Sequence, residues 1–473
     1  MNLATIGLFC GERPDFPGAE RQRQSPVDGS NLSVWTEPKP NACDPLINQL
    51  TELDLRAEAD LQSRSAALLY LASELERDAG LLAGLVTMEN GCPIAQSEAL
   101  QVHSAVALIR SLVDQAERFA FTEERPGARG GTVRIERMPI GVALGIIPSN
   151  VPIFLACLKL STALLAGCPV VLKPSPENAD SMAQFSEHLG GMDLPAGAVN
   201  LILGGRALGD HLVHNSVFRK VSFTGSSASG RAVARVCAER FARLTLELGG
   251  KSSAILLEDV DFEHVKEQLW LAMLQNNGQV CGAQSRVLVP KSRAAELRSK
   301  LRLMFEETIV GDPRSSDTEI GPVVSAAAAS RIRSTCMTSL AQGAVLVNDL
   351  VGECEESPTV FPRLYDVQSA RPEIWNEELF GPVACMRVYE TEDQAIAWAN
   401  QSTYGLSGSV WSSDTDRALQ VAHKLNTGTV SVNSKKILDF AAPFGGWGHS
   451  GIGRELGEDG FHSYLEAKTI LLP

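Results

Sequence analysis

The sequence of 473 residues predicts an α/β fold that contains a doubly wound parallel sheet. Apolar strands alternate with helices between residues 140 and 226, a pattern that favours a parallel sheet with helices on both faces. The alternation resumes from residue 250 to about residue 430, which indicates a second α/β domain. The chain is also too long for one hydrophobic core, so two or three domains are expected.

The N-terminal part is predicted to be irregular and to lead into two helices. Residues 1–50 are rich in Pro, Asn and Asp and are expected to form strands and loops, with a turn at 25–30. Leucines at helical spacing predict an amphipathic helix over 58–78, and a second helix is expected over 96–118. The breaker-rich segment 124–131 is expected to be a link, and "TVRIERMP" after it alternates like a strand.

The first α/β unit is predicted to begin with an apolar strand at 141–148, which ends in a proline. A helix over 155–167 follows and is closed by Gly167. Buried strands are then expected at 169–175, 199–205 and 220–226, with helices between them.

Composition and charge exclude several function classes. The net charge is −14 and no basic block occurs, so nucleic acid and anionic membranes are not expected as partners. The apolar runs are short, and "MNLATIGLFC" lacks the basic start of a signal peptide, so an edge strand and a cytoplasmic location are expected. The ten cysteines form no CxxC pair, and no metal site is expected.

A dinucleotide site is indicated by "FTGSSASG", which follows an apolar strand and opens a helix. Gly225 would let the backbone approach a pyrophosphate at the helix N-terminus, although its spacing to Gly230 is not that of G-x-G-x-x-G. Lys173, at the end of "VVLK", is a candidate for binding ribose or phosphate. A structural glycine turn and a solvated lysine are the alternatives for these residues.

Cys281 is the candidate nucleophile because its setting differs from that of an inert buried cysteine. Gly278 and Gly282 leave space around it, and Gln279 keeps the neighbourhood polar. A thiolate nucleophile must be reachable and ionised, and a helix N-terminus or a cationic nicotinamide would lower its pKa. The absence of acidic residues from 276–286 also favours a thiolate.

Two further residues are candidates for the chemistry around this sulfur. Glu247 lies in an otherwise apolar strand, where an unpaired carboxylate is costly and a general base is one use for it. The alternative is a glutamate that caps a helix or pairs with Lys251. Asn150 lies at a strand end between two prolines, which suits an oxyanion donor as well as an ordinary turn residue.

Taken together, these segments resemble the aldehyde dehydrogenase superfamily over roughly residues 60–470. The motifs that carry the resemblance appear in the family's order: "ELGGK" (247–251), "NNGQVCGAQSR" (276–286), "GDPRSSDTEIGP" (311–322), "EELFGPV" (377–383), "YGLSGSV" (404–410) and "PFGGWGHSGIGRELG" (443–457). The resemblance implies an aldehyde dehydrogenase-like fold of three parts. These are a Rossmann-type cofactor domain (1–120 and 139–247), a catalytic domain (248–450) and a small β oligomerisation arm (121–138 and 451–473).

The resemblance also implies roles for individual residues. Cys281 would be the nucleophile, Glu247 the general base, and Asn150 the oxyanion donor together with the backbone N–H of Cys281. The residues that would bind the cofactor, NAD with NADP as the alternative, are Ile147, Pro148, Lys173, Ser175, Gly225, Ser226, Gly230, Gly249, Glu378 and Phe380. The implied reaction converts an aldehyde, NAD(P)+ and water into a carboxylic acid and NAD(P)H.

The chain departs from the family at two positions near these motifs. Ser149 stands where the family often has Trp, and Pro176 stands where NAD-preferring members usually have a Glu that binds the ribose 2′-hydroxyl. Loss of that carboxylate weakens discrimination against NADP, although Glu177 follows one residue later. Relaxed cofactor choice, with NAD preferred, is therefore expected.

The candidate aldehyde pocket is almost entirely apolar. Its residues are Val151, Leu155, Leu158, Val280, Gly282, Leu438 and Phe444. No Lys or Arg in this set could clamp a carboxylate, and no aromatic cage could hold a trimethylammonium group. Aliphatic, terpenoid or aromatic aldehydes are therefore favoured, with a broad-specificity enzyme as the alternative.

Two other functions are compatible with the same fold. A CoA-acylating dehydrogenase needs no water-activating base, so the presence of Glu247 counts against it. An inactive structural homologue would not need Cys281, Glu247 and Asn150 together. A homodimer or homotetramer is expected, because strands near 131–138 and the C-terminal 464–472 are interpreted as exposed edges.

Overall fold

The computed structural model describes residues 7–8, 16–349, 352, 354, 357–368 and 370–473. Its strands are β1 (Gly7–Leu8), β2 (Gly18–Arg21), β3 (Trp35–Pro38), β4 (Thr122–Pro126), β5 (Thr132–Pro139), β6 (Ala143–Ile146), β7 (Val170–Lys173), β8 (Val199–Ile202), β9 (Lys220–Thr224), β10 (Arg243–Glu247), β11 (Ser253–Leu256), β12 (Arg286–Pro290), β13 (Val345–Leu346), β14 (Arg363–Asp366), β15 (Val383–Tyr389), β16 (Tyr404–Gly405), β17 (Ser407–Trp411), β18 (Thr429–Val432), β19 (Trp447–Gly448), β20 (Gly451–Ile452) and β21 (Leu465–Leu472).

The α-helices alternate with these strands over most of the chain. They are α1 (Asp44–Gln49), α2 (Leu55–Glu58), α3 (Leu61–Arg77), α4 (Ala79–Asn90), α5 (Ile94–Ser97), α6 (Ser104–Arg118), α7 (Pro152–Ala166), α8 (Ala179–Gly190), α9 (Arg206–His214), α10 (Ser227–Glu239), α11 (Phe262–Leu274), α12 (Ala294–Glu306), α13 (Ala326–Ala341), α14 (Glu373–Asn376), α15 (Glu392–Asn400), α16 (Thr415–Ala422) and α17 (Gly457–His462). Short 3₁₀ turns lie at Pro40–Cys43, Leu50–Glu52, Pro176–Asn178, Gln275–Gly278 and Lys291–Arg293, and a π-helical turn at Glu98–His103 joins α5 to α6.

The first sheet is doubly wound and confirms the predicted fold class. Its strand order is β1-β8-β7-β6-β9-β10-β20, and the five central strands are parallel. The chain fills one half of the sheet from β6 to β8 and then crosses to β9. The carboxyl ends of β6 and β9 therefore lie at the point where the strand order reverses, which is where such sheets bind ligands.

The second sheet confirms the second α/β unit. Its order is β13-β14-β15-β12-β11-β17-β18, and all pairs except β13–β14 are parallel. Apolar clusters cover both of its faces. The segment between β10 and β11 joins the two sheets and carries the "ELGGK" motif, so Glu247 lies at a carboxyl end of the first sheet.

A third sheet, with the order β21-β5-β4, forms a small arm. The interpretation of β5 as an exposed edge is wrong, because β5 pairs with β21 on one side and with β4 on the other. The β21 strand is an edge, as expected. Residues 122–126 form strand β4, so the segment expected as a link contains the end of this strand and the turn at 127–131 that joins it to β5.

The N-terminal residues combine expected and unexpected elements. β1 pairs antiparallel with β8, which confirms an edge strand at residues 7–8, while the rest of "MNLATIGLFC" lies outside the described residues. β2 and β3 form a two-stranded hairpin. The helix α1 was not expected in this Pro- and Asn-rich stretch. It forms because Ile47 and Leu50 pack beside Leu208 and Leu212 of α9 in one apolar cluster.

The other predicted elements of the first half agree with the structure within a few residues. The helix expected over 58–78 is α3, and the helix expected over 155–167 is α7, whose C-cap Gly167 has a φ of 87°. The segment expected over 96–118 contains the end of α5, the π-helical turn and α6. Every residue of α7 is buried, because it packs on β6 and β7 and is covered by α3 and α6.

Candidate active site

The loop that carries Cys281 joins α11 to β12 through left-handed backbone. Asn276, Asn277 and Gly278 have φ angles of 54°, 58° and 69°, a region that asparagine tolerates and glycine adopts freely. A Cβ atom at Gly278 would lie 2.1 Å from the carbonyl oxygen of Gly381. The glycine therefore lets the loop pass a neighbouring segment, and the Cys281 side chain stays half-buried rather than enclosed.

Amide side chains hold this loop in place. The Asn277 side chain donates to the carbonyl oxygens of Gly91 and Pro322, at 2.8 Å each. The Gln279 side chain accepts from the backbone N–H of Val324 at 2.9 Å and is 2% exposed. These amides therefore fix the backbone around the cysteine, and Gln279 does so instead of lining an open polar surface.

Asn150 lies against the same loop. Its side-chain N–H donates to the carbonyl oxygen of Gln279 at 2.9 Å. Its own carbonyl oxygen accepts hydrogen bonds of 3.1 Å from the side chains of Asn90, Gln101 and Asn276. One of the two N–H groups of the Asn150 amide is thus used to hold its position, and the other is left for an acceptor such as a carbonyl oxygen.

Glu247 ends β10 with a buried carboxyl group that is 4% exposed. Neither carboxyl oxygen has a hydrogen-bond partner in the described part of the chain. Burial, and then the charge of Glu455, raise the pKa of Glu247 well above its usual value. The alternative that Glu247 pairs with Lys251 is wrong, since the Lys251 ammonium has no hydrogen-bond partner among the described residues. An unpaired buried carboxyl group with a raised pKa suits a general base.

A buried ion pair next to Glu247 was not found from the sequence. The Lys159 ammonium lies 2.8 Å from a carboxylate oxygen of Glu455 and donates to the Ser222 hydroxyl at 2.8 Å. Burial acts to raise the pKa of Glu455, but the charge and hydrogen bond of Lys159 outweigh it and lower that pKa. Glu455 therefore stays an anion beside Glu247. The available signal was one lysine inside the otherwise apolar α7.

The protein's own charges work against a Cys281 thiolate. Burial, and then the charges of Glu378 and Glu247, raise the pKa of the Cys281 thiol to about 12. The absence of acidic residues from 276–286 therefore does not leave the sulfur free of nearby negative charge. The two carboxylates come from distant segments that the fold brings to the sulfur. A cation bound beside the sulfur would lower this pKa.

The glycines of the predicted dinucleotide site allow neighbouring side chains to pack closely against the backbone. A Cβ atom at Gly230 would lie 2.5 Å from Leu248, and one at Gly225 would lie 2.8 Å from the Phe223 ring. Ser226 caps α10 by accepting from the backbone N–H of Ser229 at 3.3 Å. The N-terminus of this 13-residue helix thus opens at the carboxyl edge of the first sheet, where its dipole favours a pyrophosphate.

Glu378 and Phe380 reach the same region from the second α/β unit. The backbone N–H of Gly250 donates to Glu378 at 3.1 Å, and a Cβ atom at Gly249 would lie 2.1 Å from the other carboxyl oxygen. Burial raises the pKa of Glu378 to about 7. Phe380 has a φ of 57°, which is strained for a bulky side chain and marks a constrained site.

Lys173 ends β7 with a buried side chain. Burial lowers the pKa of its ammonium to about 8, and the charges of Glu177 and Glu37 oppose that shift. The backbone N–H of Ile147 donates to the Lys173 carbonyl oxygen at 3.0 Å, which places Ile147 and Pro148 at the neighbouring strand end. Ser175 donates a hydrogen bond to Glu177. Lys173 is therefore not the solvated lysine of the alternative reading.

The apolar candidates and the cysteine share one hydrophobic cluster. Leu155, Leu158 and Phe444 belong to the core cluster against which Cys281, Val151 and Leu438 pack. Sequence reasoning missed two aromatic residues in this cluster, Phe154 and Phe440, whose ring centroids are 6.2 Å apart.

Val280 and Gly282, the residues on either side of Cys281 in the sequence, are not members of this apolar cluster. Val280 borders a small cavity together with Glu378 and Phe380, on the cofactor side. Gly282 packs against Ile437 and Ser407, since a Cβ atom there would lie 3.0 Å and 3.1 Å from them.

The arrangement brings a thiol, an amide donor and an unpaired carboxyl group to one place between the two α/β units. Nucleophilic attack on a carbonyl carbon, stabilisation of an oxyanion and activation of water need these three groups.

Within the residues that the structure describes, no group of three or more His, Cys, Asp or Glu side chains is placed to hold a metal ion. Among the same residues, no helix combines the length and apolar character of a bilayer-spanning segment.

Comparisons with known proteins agree with this chemistry. The model of the aldehyde dehydrogenase family matches residues 24–470. Geranial dehydrogenase of Castellaniella defragrans is 37% identical over 416 residues, which are 88% of this chain and 87% of that protein. The 3-succinoylsemialdehyde-pyridine dehydrogenase of a Pseudomonas species is 37% identical over 398 residues, 82% of each chain.

Solved structures show the same architecture. The crystal structure of a Mycobacterium tuberculosis aldehyde dehydrogenase complexed with NAD+ superposes with a TM-score of 0.94 at 30% identity, over 100% of this chain and 99% of that one.

Proposed function

Because the chain belongs to the aldehyde dehydrogenase family, we propose that it oxidises an aldehyde with an apolar body to the carboxylic acid, with NAD as the hydride acceptor. The observation that carries the proposal is the placement of Asn150 and the unpaired Glu247 around the loop of Cys281.

The chain's own residues account for formation of the covalent intermediate. The sulfur of Cys281, once it has lost its proton, adds to the aldehyde carbon and forms a thiohemiacetal. The carbonyl oxygen, which becomes negative in this step, accepts from the free N–H of Asn150 and from the backbone N–H of Cys281. Such preorganised donors typically contribute about 10²–10³ in rate.

Residues of both α/β units fit a bound NAD. The N-terminus of α10 suits the pyrophosphate, Lys173 suits the adenosine ribose, and Glu378 with Phe380 suits the nicotinamide end. When bound, NAD accepts hydride and brings a positive charge close to the cysteine. This positive charge opposes the burial and the carboxylate charges that hold the pKa of Cys281 high.

Glu247 acts in the hydrolytic half of the reaction. In its ionised form it takes a proton from water, and the resulting hydroxide attacks the thioester on Cys281 and releases the acid. This role also separates the proposal from a CoA-acylating enzyme, in which the acyl group passes from the cysteine to the thiol of CoA, the cysteine thiol is released and no such base is needed. An inactive homologue has no use for a buried unpaired carboxyl group, which costs stability.

The substrate class follows from the apolar side of the site. Val151, Leu155, Leu158, Leu438 and Phe444 offer hydrocarbon contact, and each buried CH₂ of a substrate contributes about 0.8 kcal/mol. The Phe154–Phe440 pair extends this apolar wall. Two relatives with the same 37% identity carry the names of different substrates, geranial and a semialdehyde. Sequence identity therefore does not choose the substrate class, and the residues that line the pocket are what support an aliphatic, terpenoid or aromatic aldehyde.

A substrate panel read at 340 nm tests the proposal. We expect hexanal, benzaldehyde or citral to give a higher kcat/KM than succinic semialdehyde or betaine aldehyde, with no requirement for added CoA. The highest kcat/KM with one of the charged aldehydes would refute the apolar pocket. Dependence on CoA would refute the hydrolytic reaction, and no NADH with any aldehyde would support a structural protein.

We further propose that the chain forms a homodimer or homotetramer. The edge strand β21 presents Leu471, which is 77% exposed, and Phe241 beyond α10 is 88% exposed. A partner that adds to this edge would cover such apolar surface. A light-scattering mass near the monomer's 50.7 kDa at micromolar concentration would contradict this.

The cytoplasmic location and the domain limits stay predictions.

A further inference from the structure

The first sheet indicates where the adenosine end of a dinucleotide lies. In doubly wound sheets the nucleotide lies outside the carboxyl ends of the strands, and a carboxylate there binds the ribose hydroxyls. In this chain β7 is the strand next to the central β6, and it ends at Lys173. The following turn offers Pro176, which has no carboxylate, so the group that reads the ribose must come from another segment or from Glu177.

The N-terminal hairpin brings a carboxylate to this edge. Glu37 of β3 accepts a hydrogen bond of 2.7 Å from the backbone N–H of Gly205, which caps α9 after β8. Its second carboxyl oxygen accepts from Arg21 of β2 at 2.7 Å. Because β8 is the neighbour of β7, Glu37 is fixed beside the strand end that carries Lys173.

Lys173 and Glu37 face each other without pairing directly. The charge of Glu37 acts on the Lys173 ammonium, yet within the described residues no ion pair or hydrogen bond uses that ammonium. Lys173 is 6% exposed, and its side chain passes within 3.8 Å of where a Cβ atom of Gly209 in α9 would lie. A largely buried lysine whose ammonium has no partner among the described residues, close to a fixed carboxylate, suits a ligand that carries both an acceptor and a donor, as a ribose diol does.

We propose that Glu37 is the carboxylate of the adenosine ribose site and that it favours NAD over NADP. The inference rests on the proposed use of NAD. A 2′-phosphate would place two further negative charges beside Glu37, whereas a 2′-hydroxyl donates to it.

The neighbouring charged groups agree with this assignment. Arg21 is engaged by Glu37 at 2.7 Å, and Arg23 lies 3.9 Å from Glu177. Arg21 is therefore paired with Glu37 at hydrogen-bond distance, whereas Arg23 makes only the longer contact with Glu177, and its Nη1 has no hydrogen-bond partner among the described residues. Glu177 also acts on Lys173, but its oxygens are turned towards Ser175 and Arg23. Glu177 is the competing candidate that the experiment must separate.

The test measures binding of NAD and NADP by calorimetry in the absence of aldehyde. Glu37→Gln keeps the acceptor for Gly205 but removes the charge. We expect its NAD dissociation constant to rise about tenfold while NADP binding is unchanged or tighter. Glu20→Gln, in the exposed strand β2 of the same hairpin, is the matched control and should leave both constants unchanged.

Two outcomes overturn the inference. One is an NAD-to-NADP ratio in Glu37→Gln within twofold of the wild type, and the other is a larger effect from Glu177→Gln. Should Glu37→Gln fail to fold, Glu37→Asp is expected to weaken NAD binding at least threefold without affecting NADP, and an unchanged NAD constant would refute the role. A wild-type protein that binds neither dinucleotide would instead refute the proposed function.

Discussion

The side-chain amide of Asn150 donates a 2.9 Å hydrogen bond to the carbonyl oxygen of Gln279, two residues before Cys281. This contact ties the carboxyl end of β6 in the first α/β unit, just before α7, to the loop that carries the thiol in the second. The proposed oxyanion donor and the proposed nucleophile are therefore linked by one hydrogen bond, and a shift of either segment would displace the other.

Replacing Cys281 tests the nucleophile. Cys281→Ala should lower NADH production to less than a tenth of the wild-type rate, because no other described cysteine lies on this loop. Cys157→Ala, in the fully buried α7, is the matched control and should keep most of its activity if the protein still folds. More than a tenth of the rate in Cys281→Ala would show that the assignment is wrong.

Replacing Glu247 should separate the two halves of the reaction. Glu247→Gln is nearly isosteric and removes only the base, so the enzyme should release a first burst of NADH and then stall at the thioester. Rapid-mixing absorbance at 340 nm measures the burst and the steady state. An unchanged steady-state rate would exclude Glu247 as the base.

The Lys159–Glu455 pair should set the pH dependence of Glu247. The charge of Glu455 raises the pKa of Glu247, and Lys159 lowers it. In Glu455→Gln the positive charges of Lys159 and Arg454 remain without the opposing carboxylate, so the pKa of Glu247 falls and the acidic limb of the kcat–pH profile should move to lower pH. The exposed Glu458→Gln is the control. A shift to higher pH would contradict this reading of the charges.

The same variant should lose stability. A buried lysine left without its partner typically costs about 3–5 kcal/mol. The profile must therefore be recorded at a temperature where urea unfolding shows the variant to be folded.

Gly278 should not tolerate a side chain. Gly278→Ala would force a Cβ atom to within 2.1 Å of the Gly381 carbonyl oxygen, at a φ of 69° that alanine avoids. We expect a loss of activity with a destabilisation of at least about 1 kcal/mol. Gly84→Ala, in the middle of α4 with open space around it, should instead stabilise by about 0.5–1 kcal/mol. Equal unfolding midpoints for the two variants would refute the steric argument.

Local patterns in the sequence determined the succession of elements. Periodicity and breakers predicted α3, α7 and the strands from β6 to β9, because these elements bury one face or are buried throughout. The same patterns failed where long-range packing decides. Helix α1 owes its place to contacts with α9, more than 150 residues later, and β5 lies at the centre of the arm because β21 arrives from the C-terminus.

The candidate chemistry divides in the same way. The sequence by itself determined which residues could react, since Cys281, Glu247 and Asn150 stand in settings that an inert residue does not need. Only the tertiary structure decided their electrostatics. Glu378 and Glu247, which help to raise the pKa of Cys281, lie 97 and 34 residues from it in the sequence. Glu37, whose charge acts on Lys173, lies 136 residues from it. Charge acts through space, so its sources could not be read from neighbours along the chain.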